Sequence, residues 1–300
     1  MHSQTALQTA TCEPVPEIVE LYQSIASGEK RWEDFTFMER TCKGWLLPYL
    51  LDLDVMFGKR WAYWFETLEE GKLLNKPIPR LHILAGFDQG NEVKKMLMKC
   101  LDDNRAHAQG VRLADFLEWL LWGFGYPEQE ERPIRVGENL NELWYKTLNL
   151  GLLMKYPKDY FGDIYADERS PTSNRRSGFF PTPHAICECM VSMNFEGQLE
   201  DTRSLSVCEP CSGTGRMLMH ASNYSLNLWG MDIDYVCVLA CKVNGYLYMP
   251  WLVRPASWLG NRATHQDVLR QPFAEPLHAL KDLPKKVIPI FKHQLSLFEF

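Results

Sequence analysis

The 300-residue sequence lacks a long uninterrupted apolar stretch. A helix that crosses a bilayer needs about 18 consecutive apolar residues, and the most apolar early segment, 46–57, is interrupted by Asp52 and Asp54. The first residues also lack a basic stretch followed by an apolar run, which is the pattern of a secretory signal. These absences predict a cytoplasmic protein without a membrane partner.

The sequence also has no excess of positive charge. It contains 32 Lys and Arg against 38 Asp and Glu, which gives a net charge of −6. Neutralising nucleic-acid phosphates requires clustered basic residues, so this balance disfavours a protein whose whole surface binds nucleic acid. A local basic groove, or a partner that supplies one, stays compatible with the composition.

The cysteines favour neither a disulfide framework nor a zinc site. The count of nine is odd, and Cys237 and Cys241 lie in an apolar run, as small buried thiols do in a reducing compartment. Cys187 and Cys189 are separated by one residue, whereas zinc ligands are usually separated by roughly two to four. Cys208 and Cys211 have that spacing, but they already belong to a strand candidate and to the turn that follows it. We therefore expect no metal site.

The pattern of the sequence changes near residue 158. Upstream, apolar residues recur three and four apart, which is typical of amphipathic helices. Downstream, a buried-strand candidate at 204–208 leads through a glycine-rich turn and a helix to a second candidate at 226–232, and this order is that of a nucleotide-binding βαβ unit. The predicted divisions are a flexible leader (1–15), a mostly helical domain (16–157), an α/β domain (158–283) and an extended tail (284–300).

The turn between the two strand candidates reads Cys208-Glu-Pro-Cys-Ser-Gly-Thr-Gly215. Gly213 and Gly215 would let the backbone pass close to a ligand, and the helix that starts near Arg216 would present free backbone amides to an anionic group. Asp232 ends the next strand, where a carboxylate can accept hydrogen bonds from both hydroxyls of a ribose. The pattern predicts a site for a nucleoside-containing cofactor.

Four segments in the same order resemble the S-adenosylmethionine-binding core of the adenine-N(6) DNA methyltransferases, especially the modification subunits of type I restriction systems. The matching segments are Asp159-Tyr-Phe-Gly-Asp-Ile-Tyr165, Gly178-Phe-Phe-Pro-Thr-Pro183, Glu209-Pro-Cys-Ser-Gly-Thr-Gly215 and Gly230-Met-Asp-Ile-Asp234, and they are followed by Gly260-Asn261. The resemblance implies an α/β fold, with a Rossmann-like methyltransferase domain preceded by a mostly helical domain, and S-adenosyl-L-methionine as cofactor.

The resemblance also implies roles for single residues. Thr182 would hydrogen-bond the methionine carboxylate, and Glu209 would meet the methionine ammonium in a charge-assisted contact. Asp232 would hold the ribose, Ile233 would pack on the adenine face, and Asn261 would contact the adenine edge. The full set of implied cofactor-binding residues is Phe180, Thr182, Pro183, Glu209, Pro210, Gly213, Thr214, Gly215, Asp232, Ile233 and Asn261.

One family motif is missing from the sequence. Members carry Asn/Asp-Pro-Pro-Tyr/Phe, whose polar atoms accept hydrogen bonds from the target amine while the aromatic ring stacks on the flipped base. The nearest segment is 270–273, in which Gln271, Pro272 and Phe273 imitate three of the four positions. The catalytic residues therefore stay open: the motif comes from this segment or from elsewhere, or the chain binds the cofactor without turning it over.

A second resemblance lies near the end of the sequence. Gln294-Leu-Ser-Leu-Phe298 is similar to the peptide by which bacterial replication and repair proteins bind the sliding clamp. An extended tail can place Leu297 and Phe298 in an apolar groove while Gln294 hydrogen-bonds at the rim, with Leu295 between them. The alternative interpretation is an edge strand with alternating apolar residues.

Together these resemblances imply a DNA adenine-N(6) methyltransferase of a restriction-modification system, with a specificity partner that helps to recognise DNA. The alternative is a catalytically inactive S-adenosylmethionine-binding module that scaffolds or regulates a DNA-associated complex. Methylation of a substrate other than DNA is a third interpretation, because the fold alone does not specify the acceptor.

Overall fold

The computed structural model describes residues 42–84, 90–102, 112–168, 179–198, 201–259 and 287–289, together with Gln23 and Ser27. The leader 1–15 lies outside these stretches, and so do eight of the predicted site residues: Asn261, Gln271, Pro272, Phe273, Gln294, Leu295, Leu297 and Phe298. The expectations for them stay predictions.

The described residues between 42 and 157 form helices α1 (Leu47–Phe57), α2 (Arg60–Glu70), α3 (Asn91–Leu101), α4 (Leu113–Gly123), α5 (Glu138–Thr147) and α6 (Leu150–Lys155). Aromatic side chains hold them together: Trp119 and Trp144 are fully buried and lie 5.3 Å apart, ring to ring. Each indole N–H is satisfied, by Asn141 Oδ1 at 2.8 Å and by Cys100 O at 2.9 Å. Within the described residues, no helix is long and apolar enough to cross a membrane.

The later elements combine helices with a small sheet. They are α7 (Tyr160–Glu168), α8 (His184–Phe195), β1 (Ser206–Glu209), α9 (Arg216–Ala221), β2 (Asn227–Gly230), α10 (Tyr235–Tyr248), α11 (Pro250–Val253) and β3 (Val287–Pro289), with short 3₁₀ turns at Thr202–Ser204 and Ser257–Leu259.

The three strands form a parallel sheet in the order β2-β1-β3. Glu209 is paired with Gly230 across β1 and β2, and Ser206 is paired with Val287 across β1 and β3. Every residue of β1 and β2 is buried, as expected for parallel strands covered on both faces. The described chain is therefore a helix-rich mixed α/β structure. Its third strand falls in 284–300, the part assigned from sequence to an extended tail.

Arg60, at the start of α2, links the helical segment to the elements around the sheet. Its buried guanidinium donates to Tyr248 O at 2.7 Å and to Ser222 O at 2.9 Å, and lies 4.4 Å from the centre of the Trp251 ring. Trp61 adds an indole hydrogen bond to the backbone oxygen of residue 246 at 2.8 Å. The hydrophobic core is thus continuous across residue 158. The assignment of 16–157 as a separate domain stays a prediction.

Asp159, immediately before α7, is fully buried and joins three parts of the fold. Its Oδ2 accepts hydrogen bonds from Thr214 Oγ1 at 2.5 Å and Arg216 Nε at 3.0 Å, which fixes the glycine-rich turn. Its Oδ1 accepts from Asn244 Nδ2 on α10 at 2.9 Å and from the Gly162 N–H at 3.0 Å. A buried carboxylate is tolerated here because both oxygens are satisfied and a guanidinium balances the charge.

Two histidines extend this network away from the turn. The Asp159 N–H donates to His184 Nε2 at 3.4 Å, and His184 Nδ1 lies 3.1 Å from His220 Nε2. Because Nε2 of His184 accepts, its Nδ1 must carry the proton that is donated to His220. Burial lowers the pKa of both imidazoles, and the neighbouring Arg216 charge acts in the same direction. The pair is therefore neutral at pH 7 and serves packing and positioning.

Gly162 is required by the close approach of Asp159 to Thr214. A Cβ at this position would lie 2.1 Å from Asp159 Oδ2 and 2.6 Å from Thr214 Oγ1. We predict that Gly162→Ala lowers the free energy of unfolding by about 1–3 kcal/mol, since overpacking displaces the two groups. Chemical denaturation measures the change.

Gly151→Ala in α6 is the matched control, because its nearest neighbouring atom is 3.2 Å from the added Cβ. We expect it to change stability by less than about 1 kcal/mol, as the better helix propensity of alanine offsets the tight contact. An equal effect of both substitutions would contradict the role given to Gly162.

Candidate functional site

A cavity of about 140 Å³ lies where β1 and β2 end. It is lined by Phe179, Phe180, Pro181, Thr182, Cys187, Glu209, Cys211, Ser212, Gly213, Thr214, Arg216, Met217, Asp232, Asp234 and Cys237. The carboxyl ends of parallel strands are where open α/β sheets place their ligands, so this cavity is the candidate functional site.

The glycine-rich turn forms one wall of the cavity. Gly213 (φ +52°) and Gly215 (φ +84°) both have left-handed backbone conformations, which favour glycine. A Cβ on Gly215 would lie 2.7 Å from Cys241 Sγ, so the turn packs directly against α10. The Gly213 N–H donates to Asp232 Oδ2 at 2.7 Å, which joins the turn to the segment after β2.

Asp232 is half-buried and held in one orientation by two backbone groups. Its Oδ2 accepts from Gly213, and its Oδ1 accepts from the Asp234 N–H at 2.8 Å. Burial raises the pKa of Asp232, while these N–H donors act against the rise. Each carboxylate oxygen has two lone pairs, so both can accept a further hydrogen bond from a ligand hydroxyl.

Glu209, the last residue of β1, is buried at 4% exposure. Among the described residues, no hydrogen-bond donor contacts its Oε2. Burial raises the pKa of Glu209 to about 8, and the nearby Asp232 charge adds to the effect, whereas a hydrogen bond from the Cys211 backbone opposes it. An unpartnered buried carboxyl in a cavity wall is a position where a cationic ligand group fits.

The segment before α8 forms the outer wall. Arg216 Nη1 donates to Thr182 O at 3.1 Å, and the same guanidinium donates to Asp163 Oδ1 at 2.8 Å. Thr182 is thereby fixed to the beginning of α9, with Phe180 at the rim, 67% exposed.

Asp234 joins the far end of the cavity to α7. The Tyr165 hydroxyl lies 3.0 and 2.8 Å from its two carboxylate oxygens. Asp234 also caps α10 by accepting from the backbone N–H groups of Val236 and Cys237, at 3.0 and 3.3 Å. The Asp159–Tyr165 segment, singled out from the sequence, therefore supports the cavity at both ends.

The structure brings six of the predicted cofactor-binding residues into the cavity wall: Phe180, Thr182, Glu209, Gly213, Thr214 and Asp232. The Thr214 hydroxyl is already bonded to Asp159 and serves the fold. Four others flank the wall in sequence without lining it, namely Pro183, Pro210, Gly215 and Ile233, and Ile233 is 57% exposed.

Sequence reasoning missed Arg216 and Asp234 as parts of the wall. Arg216 directly follows the turn, but nothing in the sequence indicates that its side chain turns inward to Asp159. Asp234 lies in a segment that was singled out, where only Asp232 and Ile233 received roles. Within the described residues, no group of three or more His, Cys, Asp or Glu is arranged to hold a metal ion.

The balance of charge in the wall is acidic. Glu209, Asp232 and Asp234 contribute carboxyl groups, whereas the guanidinium of Arg216 is engaged by Asp159 and Asp163. The wall therefore favours a ligand that offers hydroxyl donors and a positive charge over a free anion.

Comparison with known proteins relates part of this chain to a methyltransferase. The chain is 33% identical over 79 residues to the type II methyltransferase M.VspI of Vibrio sp. (strain 343). The matched stretch is 25% of this chain and 18% of that protein, so the similarity spans less than a fifth of the relative. No family model and no solved structure matches the chain. The comparison supports a methyltransferase relationship at this coarse level.

Proposed function

We propose that this chain binds S-adenosyl-L-methionine in the cavity at the ends of β1 and β2 and is the cofactor-binding part of a DNA adenine-N(6) methyltransferase. The observation that carries the proposal is the buried Glu209 carboxyl, whose Oε2 has no partner among the described residues, in the same wall as the fixed Asp232. Together they match the ammonium and the ribose of this cofactor.

The ribose end of the proposal rests on Asp232. Its orientation is set before a ligand arrives, because two backbone N–H groups hold it. Accepting both ribose hydroxyls would then require no rearrangement of the carboxylate, and preorganisation of this kind lowers the free-energy cost of binding.

The methionine end rests on Glu209 and Thr182. An ammonium group at Glu209 would supply the missing hydrogen bond and compensate the buried charge. Thr182 lies in the same wall, where its side chain is available to the methionine carboxylate. The exposed Phe180 and Ile233 provide apolar surface that an adenine ring would cover.

The sheet order supports a Rossmann-like domain around this site. A central β1 with parallel neighbours on both sides, and a helix crossing from β1 to β2, is the arrangement at the switch point of doubly wound folds. The bound cofactor would supply an electrophilic methyl group. The chain's own residues would orient it and screen it from water.

The proposed acceptor, the exocyclic amine of adenine in DNA, rests on the resemblance of the sequence motifs, and the similarity to a type II methyltransferase supports methyl transfer in general. The missing Asn/Asp-Pro-Pro-Tyr/Phe tetrapeptide favours a second candidate, an inactive S-adenosylmethionine-binding module that scaffolds or regulates a DNA-associated complex. A specificity partner for DNA belongs to either proposal.

Cofactor binding predicts thermal stabilisation. At about one hundred times its dissociation constant, S-adenosylmethionine should add about 2.7 kcal/mol to the free energy of unfolding. Asp232→Asn should reduce this gain, because an amide can accept from only one of the two ribose hydroxyls. Asp167→Asn is the control, since that exposed carboxylate pairs with Lys94 on the surface. Equal gains in both variants would contradict the ribose role.

Methyl transfer separates the two candidates. We expect radiolabelled methyl groups to pass from S-adenosylmethionine to adenine in DNA when a specificity partner is added. Gln271→Ala should abolish transfer if 271–273 replaces the missing motif. A chain that binds the cofactor and never labels DNA, with or without partners, would identify the inactive module.

We also propose that the tail binds the bacterial sliding clamp through residues 294–298. Deleting residues 294–298 should abolish pull-down of a purified clamp, because Leu297 and Phe298 would no longer fill its apolar groove. Leu297→Ala with Phe298→Ala should have the same effect, and Ser296→Ala should have none. Undiminished recovery after the deletion would favour the edge-strand interpretation.

A further inference from the structure

Glu209 lies in the cavity wall with an unsatisfied hydrogen-bonding group. It ends the central strand, is 4% exposed, and has one oxygen without a hydrogen-bond donor among the described residues. We infer that Glu209 holds a proton in the ligand-free cavity and exchanges it for the α-ammonium group of the ligand, so that the site selects nucleosides with an amino-acid arm over nucleosides without one. The inference rests on the proposed function and adds the basis of its selectivity.

The geometry requires either a proton or a cation at this position. A carboxylate that is removed from water and lacks a partner is costly, and a buried acid avoids the cost by remaining neutral. A neutral carboxyl, however, stabilises an ammonium group much less than a carboxylate does. Binding the cation therefore favours release of the proton to solvent, while the ammonium group keeps its own protons.

The groups around Glu209 favour its protonated form when no ligand is bound. The titratable and charged side chains that share its cavity are Asp232 and Asp234 after β2, Arg216 on α9, Cys187 on α8, Cys211 in the turn and Cys237 on α10; Cys208 precedes it on β1. Arg216, the cation of this set, is engaged by Asp159 and Asp163. Burial and the Asp232 charge raise the pKa of Glu209 to about 8, against 4.5 for an ordinary glutamate.

The sign of the pH dependence follows from the direction of this shift. Below about pH 8 the ligand-free site carries the proton, so an amino-acid-bearing ligand must displace it. Its affinity should therefore rise with pH, by up to about tenfold per unit, and become constant once Glu209 is ionised. A nucleoside without the ammonium displaces no proton and should show no such dependence.

Two ligands isolate the amino-acid arm. S-Adenosylhomocysteine carries the α-ammonium, and 5′-methylthioadenosine has the same nucleoside and thioether without it. Isothermal titration of both, from about pH 6 to about pH 8.5 in buffers of different ionisation enthalpy, gives the affinity and the number of protons released. We expect up to one proton released with S-adenosylhomocysteine near pH 7 and none with 5′-methylthioadenosine.

Glu209→Gln removes the titrating group while keeping the size of the side chain. In this variant S-adenosylhomocysteine should bind at least about tenfold more weakly near pH 8, without proton release, while 5′-methylthioadenosine should bind as before. Glu188→Gln, at an exposed carboxylate on α8, is the control and should behave as the original chain does. If Glu209→Gln does not fold, the comparison of the two ligands on the unmodified chain decides the matter.

The possible outcomes distinguish failure of the proton exchange from failure of the proposed function. Binding of S-adenosylhomocysteine without proton release, and with constant affinity over this pH range, would overturn the exchange while leaving the cofactor site intact. The same proton release with both ligands would also overturn it, because the proton would then come from another group. If neither ligand binds, the proposed function fails with it.

Discussion

The buried Asp159 carboxylate is the interaction on which the candidate site depends. It accepts hydrogen bonds from Thr214 in the glycine-rich turn, from Arg216 directly after the turn and from Asn244 on α10. These bonds fix the turn between α7 and α10. Position 162 requires glycine, because a Cβ there would overlap Asp159 Oδ2 and Thr214 Oγ1. The contact at Asp159 acts together with two hydrogen bonds that join the turn directly to the residues after β2, from the Gly213 N–H to Asp232 Oδ2 and from the Ser212 N–H to Met231 O.

The network has a consequence for the electrostatics of the cavity. Asp159 and Asp163 engage Arg216, so the cation nearest the ligand space is directed into the fold. Glu209 and Asp232 are left facing the cavity without a compensating side chain from the described part of the wall. The same contacts that stabilise the turn therefore create a cavity suited to a positively charged nucleoside, which is the physical basis of the proposed function.

The sequence predicted local features better than long-range contacts. The roles of Gly213, Gly215 and Asp232 in one site were predicted from turn chemistry and the βαβ pattern, and the structure joins the turn to Asp232 by a hydrogen bond. The prediction that Asp232 ends the strand was wrong, because β2 ends at Gly230. The inward orientation of the Arg216 side chain could not be predicted, because it depends on Asp159, which lies 57 residues away in the sequence. The pairing of residues 287–289 with β1 was missed for the same reason: three residues carry too little pattern to specify a partner strand.

A nucleoside with a cationic amino-acid arm should occupy this cavity in one orientation. A crystal structure of the chain with S-adenosylhomocysteine tests it most directly. We expect ribose hydroxyls within hydrogen-bond distance of both Asp232 oxygens and the α-amino nitrogen of the ligand within hydrogen-bond distance of the Glu209 carboxylate. Ligand density outside this cavity, or a bound ligand whose ammonium points away from Glu209, would contradict it.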